Sequence, residues 1–458
     1  MLTTHDRSHP QSLPVGNLID LTIDAISYGG DGVARHDGRV VFVPFAAPGD
    51  RVRARITETQ QRFSRAELTE IRDASASRVE PPCPHFGVCG GCQLQHLSYD
   101  AQLKTKRQFV EDALTRIGRI PDPGVDATLP APAEWNYRHQ IQVMTEVVQG
   151  NVITGFRCAG SHRLVDIESC PIAHSTMNQA LSGFHEWAVD HLQAICKPKD
   201  RTGWLRGMEA RCSHDGAQVT VCLLASRFHG RDMRALVDAV RRRTGTPVGA
   251  FFRTGERRKD QPLVPSKRID GASCLTADID GSMLRFSADS FMQANLRATA
   301  SLMNVVRERA GIRDGMTVVD LYSGTGLFAA VAVQAGARVY TVENSPAAVE
   351  DARVNLPEEV TVLHTPATRG LQLLRERGIS PDVVILDPPR AGCDSSSLKA
   401  LTAISPRRMV YVSCDPATQA RDVRLLVEAG YQLKSVQPID LFPQTYHVET
   451  VVAIEPRP

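Results

Sequence analysis

The chain has 458 residues, more than one hydrophobic core usually serves, so two or three domains are expected. Apolar residues at 42% and charged residues at 23% match an ordinary soluble globular protein, and a formal charge of +2 excludes a global polycation. Any nucleic-acid surface must therefore be local. No stretch approaches the roughly 20 apolar residues of a membrane span, and the first residues hold no signal-peptide core, so a cytoplasmic location is expected. There the 11 cysteines should not form disulfides, and clustered ones read as metal-binding or catalytic.

Residues 1–14 read as a polar, disordered leader with Pro10 and Pro14. From 15 to 74 the pattern is all-β. Asn17 to Ile23 alternates, Gly29-Gly30-Asp31-Gly32 turns, and Val40 to Phe45 forms a second strand. Pro48-Gly49-Asp50 turns again, and Val52 to Ile56 alternates apolar residues with Arg. Short strands with glycine turns predict a small OB-like β-barrel, used elsewhere for single-strand binding or for protein contact.

Residues 75–285 read as a mixed α/β central domain. It opens with a cysteine-rich loop and a helix over about 99–117, a candidate to pack on the C-terminal domain. Antiparallel strands follow, such as 140–148 and 217–224. Lys104, Lys106, Arg107, Arg116 and Arg119 form the local basic candidate, or a solvated helix face. From 286 to 458 the rhythm changes. A helix over about 295–310 precedes strands at 317–321, 338–342, 383–386 and 409–413, with helices between. That alternation predicts an α/β, Rossmann-like doubly wound parallel sheet.

Open sheets of this kind bind ligands at the carboxyl ends of their strands, and three strands here end in functional-looking loops. Asp320-Leu321-Tyr322-Ser323-Gly324-Thr325-Gly326 opens a helix, and Glu343 ends the next strand, where an acid that bonds ribose belongs. A third glycine at dinucleotide spacing is missing, so the pattern resembles S-adenosylmethionine-dependent methyltransferases. Val383 to Leu386 stops at Asp387-Pro388-Pro389-Arg390, and Val410 to Ser413 stops at Cys414-Asp415-Pro416. Methyltransferases of exocyclic amines carry an aromatic residue after Pro-Pro, where this chain has Arg390. RNA cytosine-5 methyltransferases carry a cysteine where it has Pro389. Upstream, Cys83, Cys89 and Cys92, with Gly90-Gly91 between the last two, and the distant Cys170 form a metal-ligand pattern. Zinc is the default for four thiolates. Cys158 is the rival for the fourth place.

Together with Phe291-x-Gln293-x-Asn295 and Asp440-Leu441-Phe442-Pro443-Gln444-Thr445-Tyr446-His447-Val448-Glu449, these motifs resemble the RNA uracil-5-methyltransferase family over essentially the whole chain. The resemblance implies C5-methylation of a uridine in structured RNA. Cys414 would be the nucleophile and Glu449 the proton-abstracting base. Gln293, Tyr322, Glu343 and Asp387 would line the S-adenosylmethionine pocket. The barrel would be a TRAM domain. Cys83, Cys89, Cys92 and Cys170 would hold a [4Fe–4S] cluster, with zinc as the alternative. Members with both barrel and cluster point to 23S rRNA ahead of tRNA, and a monomer is expected. A non-catalytic RNA-binding or ribosome-assembly factor is the alternative.

The chemistry accounts for these residue types. Uracil C5 is too weak a carbon nucleophile to take a methyl group at neutral pH. A thiolate added to C6 makes C5 enolate-like, and a base must then remove the C5 proton so that the thiolate can leave. Such a thiol is expected to have a depressed pKa, with Arg390 as one source of the field.

Overall fold

The computed structural model describes residues 13–196, 202–255 and 264–458. The expected leader lies almost wholly outside them. Strands β1 (Leu18–Ile26), β2 (Asp31–His36), β3 (Arg39–Pro44), β4 (Arg51–Thr59) and β5 (Phe63–Asp73) close a barrel in the order β1-β2-β3-β5-β4. The alternation seen in the sequence explains the closure: Leu21, Ile23, Val41, Val43, Val52, Ala54 and Ile56 all point into one core, and the arginines between them point out.

Helix α1 (Tyr99–Arg116) follows the cysteine-rich loop. The central body is a seven-stranded sheet made of β6 (Gln140–Val148), β7 (Asn151–Arg157), β8 (Leu164–Asp166), β9 (Leu205–Cys212), β10 (Val219–Ala225), β11 (Val248–Thr254) and β12 (Lys267–Asp270). Helices α2 (Ser175–Asp190) and α3 (Gly230–Thr244) bury their apolar stripes against it around Phe184, Trp187, Leu236 and Val240. A hairpin of β13 (Cys274–Ile279) and β14 (Ser282–Ser287) leads to α4 (Leu296–Ala310).

The C-terminal sheet contains β15 (Thr317–Leu321), β16 (Arg338–Glu343), β17 (Thr361–His364), β18 (Val383–Leu386), β19 (Arg408–Ser413), β20 (Tyr431–Ile439) and β21 (Glu449–Pro456). Its helices are α5 (Leu327–Gln334), α6 (Pro346–Asn355), α7 (Ala367–Glu376), α8 (Ser395–Ala403) and α9 (Pro416–Glu428). The strand order is β17-β16-β15-β18-β19-β21-β20. Five strands are parallel, as the alternation predicts, but β21 runs antiparallel to β19 and β20 antiparallel to β21. The parallel sheet is thus extended at one edge by an antiparallel pair. The two last strands join through a loop with no helix between them, and only an antiparallel pair can close that way.

Apolar side chains cover both faces. Helices α4, α5 and α6 pack on one, and α1, α7, α8 and α9 on the other. Helix α1 is therefore part of the catalytic layer, with Val110, Ala113 and Leu114 in its core. The basic reading of this helix needs correction. Lys106 is fully buried and paired with Asp440, Arg107 pairs with Glu111, and Arg116 pairs with Asp112. Among the described residues no helix is long and apolar enough to cross a membrane.

Candidate active site

Three loops at the carboxyl edge of this sheet meet over a short distance. The first is Tyr322–Gly326. Gly324 and Gly326 adopt φ of +55° and +92°, and Tyr322 is held at +62°. A buried Ser323 hydroxyl and Oδ1 of the wholly buried Asp320 lack partners, while Asp320 Oδ2 accepts the Ala329 N–H at 2.8 Å. Burial holds the Asp320 carboxyl well above the usual range. Orphaned polar atoms beneath a glycine turn fit a polar ligand. Glu343 faces the same turn: one oxygen accepts Gly324 N–H at 2.9 Å, and the other accepts those of Asn344 and Ser345 at 2.7 and 2.6 Å. The Tyr322 phenol turns toward Ser397 and Cys393 around the head of α8, leaving its backbone to shape the loop. Gln293 is half-buried in the segment before α4. That segment is pinned at Asn295, whose side chain caps α4 through Ala298 N–H and donates to the Leu441 carbonyl at 3.0 Å.

The second loop carries Asp387 and Arg390, and the third carries Cys414. They are tied together: the Thr418 hydroxyl donates to the Arg390 carbonyl, and Asp415 caps α9 by accepting Thr418 N–H. Glu449 arrives by strand register. Ser413 pairs with Thr450 across the antiparallel β19–β21 ladder, so Cys414 and Glu449 are the next residues out, facing each other on the same side of the sheet. The final antiparallel pair thus does what no spacing in the sequence announces. It brings a carboxyl from 35 residues downstream opposite the thiol.

The electrostatics overturn one expectation. The Cys414 thiol is pushed up to about 11, by burial first and then by Glu449; the Arg390 guanidinium, which donates a hydrogen bond to it, pulls the other way. Burial raises Asp387 to about 7 and holds Glu449, only 3% exposed, well above the carboxylate range, with Asp387 adding to the effect on Glu449. Burial thus favours the protonated forms of Cys414 and Glu449 before substrate arrives.

Residues that sequence reasoning missed complete the surroundings. Lys106 Nζ donates to Asp440 Oδ1 at 2.6 Å and to the Phe442 carbonyl at 2.9 Å. Gln102 donates to the Gln444 side chain and accepts Gln444 N–H, both at 2.9 Å. Gln93 and Leu94, just past Cys92, donate their N–H groups to the Gln444 carbonyl. The loop that delivers Glu449 is thus clasped by the N-terminal third of the chain. Lys106 carried a signal, since it falls on the same helix stripe as Gln102, Phe109, Val110 and Ala113, but its partner lies too far along the chain for periodicity to find.

The four cysteine-pattern thiols also come near one another. Cys83, Cys89 and Cys170 each raise the Cys92 thiol, which burial pushes up to about 12. Gly91 N–H points at Cys89 Sγ at 3.4 Å, and the N–H groups of Ile172 and Ala173 point at Cys170. Cys158 is backbone-bridged to Cys89 but takes Arg163 as its partner. Among the described residues, no three His, Cys, Asp or Glu side chains are arranged to hold a metal ion. Four thiols near one another, with backbone N–H donors beside Cys89 and Cys170, are nevertheless a sulfur donor set of the kind that takes a metal or an iron–sulfur group once the thiols lose their protons.

Comparison with known proteins gives the family. Residues 14–69 match the TRAM domain family, and residues 368–457 match the tRNA (Uracil-5-)-methyltransferase family. An uncharacterised RNA methyltransferase of Halalkalibacterium halodurans is 34% identical over 97% of this chain and 99% of its own. One from Nitratidesulfovibrio vulgaris is 36% identical over 96% of each. The crystal structure of Pyrococcus abyssi tRNA (uracil-54, C5)-methyltransferase, in complex with S-adenosyl-L-homocysteine, superposes with a TM-score of 0.75 at 25% identity, covering 95% of this chain and 100% of that one. With a TRAM barrel, a methyltransferase sheet and relatives above 30% identity along nearly its full length, the chain belongs to the RNA (uracil-5-)-methyltransferase family.

Proposed function

We propose that this enzyme methylates C5 of a uridine in structured RNA, working as a cytoplasmic monomer. The cross-strand placement of Cys414 opposite Glu449 carries the reading. S-adenosylmethionine, when bound, supplies an electrophilic methyl group. Gln293, Glu343, Asp387 and the backbone at Tyr322 would hold it. The residues of this chain do the rest. Cys414 Sγ bonds to C6 of the uracil, placing negative charge on C5 and O4. Glu449 gives up its own proton to solvent as the substrate seats, and once C5 carries the methyl group the resulting carboxylate takes the C5 proton. The electron pair of that C–H bond restores the C5=C6 double bond, and the C6–S bond breaks to return the thiolate.

Because the free thiol titrates near 11, it must release its proton to solvent as the uracil base seats, before Sγ bonds to C6. Arg390, already bonded to Sγ, favours the thiolate. The target has to leave its stack to reach so enclosed a thiol. Cys83, Cys89, Cys92 and Cys170 would hold a [4Fe–4S] cluster, a structural or RNA-positioning element, in preference to zinc. Anaerobically purified protein should absorb broadly in the visible. Colourless protein with stoichiometric zinc reverses that assignment.

Large-subunit 23S rRNA is the proposed substrate, on the strength of a TRAM barrel combined with the four-thiol segment. Transfer RNA is the second reading, favoured by the match to a tRNA enzyme along 95% of this chain, barrel region included. Mass-spectrometric mapping of 5-methyluridine in rRNA and tRNA from a deletion strain separates the two. Unchanged 5-methyluridine in both pools would sink uridine methylation itself.

A further inference from the structure

The first turn of the barrel does not sit apart from the catalytic edge. Gly30 N–H bonds to the Ser27 carbonyl, and Ser27 is closed onto Asp31, leaving Tyr28 at the tip. Gly30, at φ +99°, lies so close to the cysteine-rich loop that a Cβ there would stand 2.6 Å from Cβ of Gln93. Behind the turn, Ile26 and Ala47 of the barrel share one core with Leu94, Leu97 and Phe109, with Tyr446 packed against it. The tip is therefore fixed in place relative to the sheet edge.

What it presents there is an aromatic ring. Tyr28 meets Phe109 at 5.5 Å and Tyr446 at 5.2 Å between centroids, both edge-to-face, and Tyr446 lies 4.3 Å from the ring of His447. His447 precedes Glu449 by two residues. Packing does not consume the Tyr28 ring, since 41% of the residue stays exposed. Its hydroxyl is within charge-interaction range of Asp415, Cys414 and Arg390, and burial keeps it a neutral phenol. An aromatic ring at the mouth of a pocket that takes an extruded uridine faces what is joined to that uridine by one phosphodiester. Extrusion strips the neighbouring base of a stacking partner, and an aromatic side chain is the usual replacement.

We propose that Tyr28, with Tyr446 beside it, forms a stacking subsite for the nucleobase adjoining the methylated uridine, so that the barrel reads the sequence context of the target. The proposal rests on the uridine-methylation reading. It assigns Tyr28 to RNA contact, with no part in bond making. Stacking of one base on an aromatic residue sets the expected loss for Tyr28→Ala at about 10- to 100-fold in KM for RNA, with kcat changed far less. Tyr28→Phe should behave as wild type. Tyr28→Leu keeps apolar bulk against Phe109 without a π face and should resemble Tyr28→Ala, which guards against a folding defect.

The test uses the full-length protein and synthetic hairpin RNAs with 5-fluorouridine at the mapped position and 2-aminopurine on its 5′ or 3′ side. With wild type and Tyr28→Phe, 2-aminopurine on one side should be quenched as the covalent adduct forms. With Tyr28→Ala and Tyr28→Leu that quenching should be lost. Replacing the neighbouring base with an abasic site should weaken wild type and leave Tyr28→Leu unaffected. An adduct whose quenching and abasic penalty survive in Tyr28→Leu overturns this inference alone. Absence of any adduct with wild type overturns the uridine-methylation reading, and the inference with it.

Discussion

Burial raises the thiol at two sites in this chain, and the two differ in their neighbours. At the sheet edge one thiol, Cys414, stands among Glu449, Asp387 and Arg390, so charges of both signs act on it. In the cysteine-rich segment, burial and the other thiols raise Cys92, and the neutral Gln95 side chain offers only a partial counterweight. The first arrangement can move protons, because each group has a neighbour that changes charge with it. The second surrounds Cys92 with other thiols and a neutral amide. A raised thiol pKa alone separates neither case; its neighbours do.

Several substitutions would break or sharpen that contrast. Cys414→Ala should abolish 5-methyluridine formation while RNA binding by filter or gel shift survives; retained turnover would end the nucleophile assignment. Glu449→Gln should slow release of product by about 10²- to 10⁴-fold and accumulate an RNA–protein adduct stable on denaturing gels. If no such adduct is seen, proton abstraction belongs to another group. Lys106→Met leaves Asp440 buried without its partner and should cost about 3–5 kcal/mol in denaturant unfolding, whereas pairing it with Asp440→Leu should restore most of that. A cost unchanged by the second substitution would mean that packing, and not charge, matters there.

The contrast extends to the pH dependence. A thiol titrating near 11 is protonated at neutral pH, so its thiolate fraction grows as pH rises. Alkylation of Cys414 by iodoacetamide should therefore accelerate about tenfold per unit between pH 7 and 10. Glu449→Gln removes a neighbour that raises the thiol, and should move this profile to lower pH. A flat profile with a fast rate at pH 7 would restore the depressed pKa expected from chemistry alone.

The parallel part of the sheet was legible because Val383–Leu386 and Val410–Ser413 are continuous apolar runs stopped by Asp-Pro and Cys-Asp-Pro. The apolar strand runs and the barrel's alternation are local signals, and the strands they mark are present. What escaped depended on distance along the chain. The antiparallel return of β21, the Lys106–Asp440 pair and the approach of Tyr28 to Tyr446 each join segments that no window of sequence contains together. Lys106 shows the cost: a cation on a helix reads as solvated until the carboxylate that buries it is in view. The thiol pKa failed for a related reason, since the burial that chiefly raises Cys414 is set by elements distant in the chain, with Glu449 and Asp387 adding to it.

The clasp around Gln444 has a kinetic consequence. Lys106 and Asp440 are 334 residues apart, and Gln102 and Gln444 are 342 apart. A contact of such span closes late, after the local helices and hairpins have formed. The half of the clasp near residue 100 leaves the ribosome long before the loop it must receive. Catalytic competence should therefore be the last property a refolding chain acquires: after dilution from denaturant, helix signal should return first, and adduct-forming capacity should lag behind it.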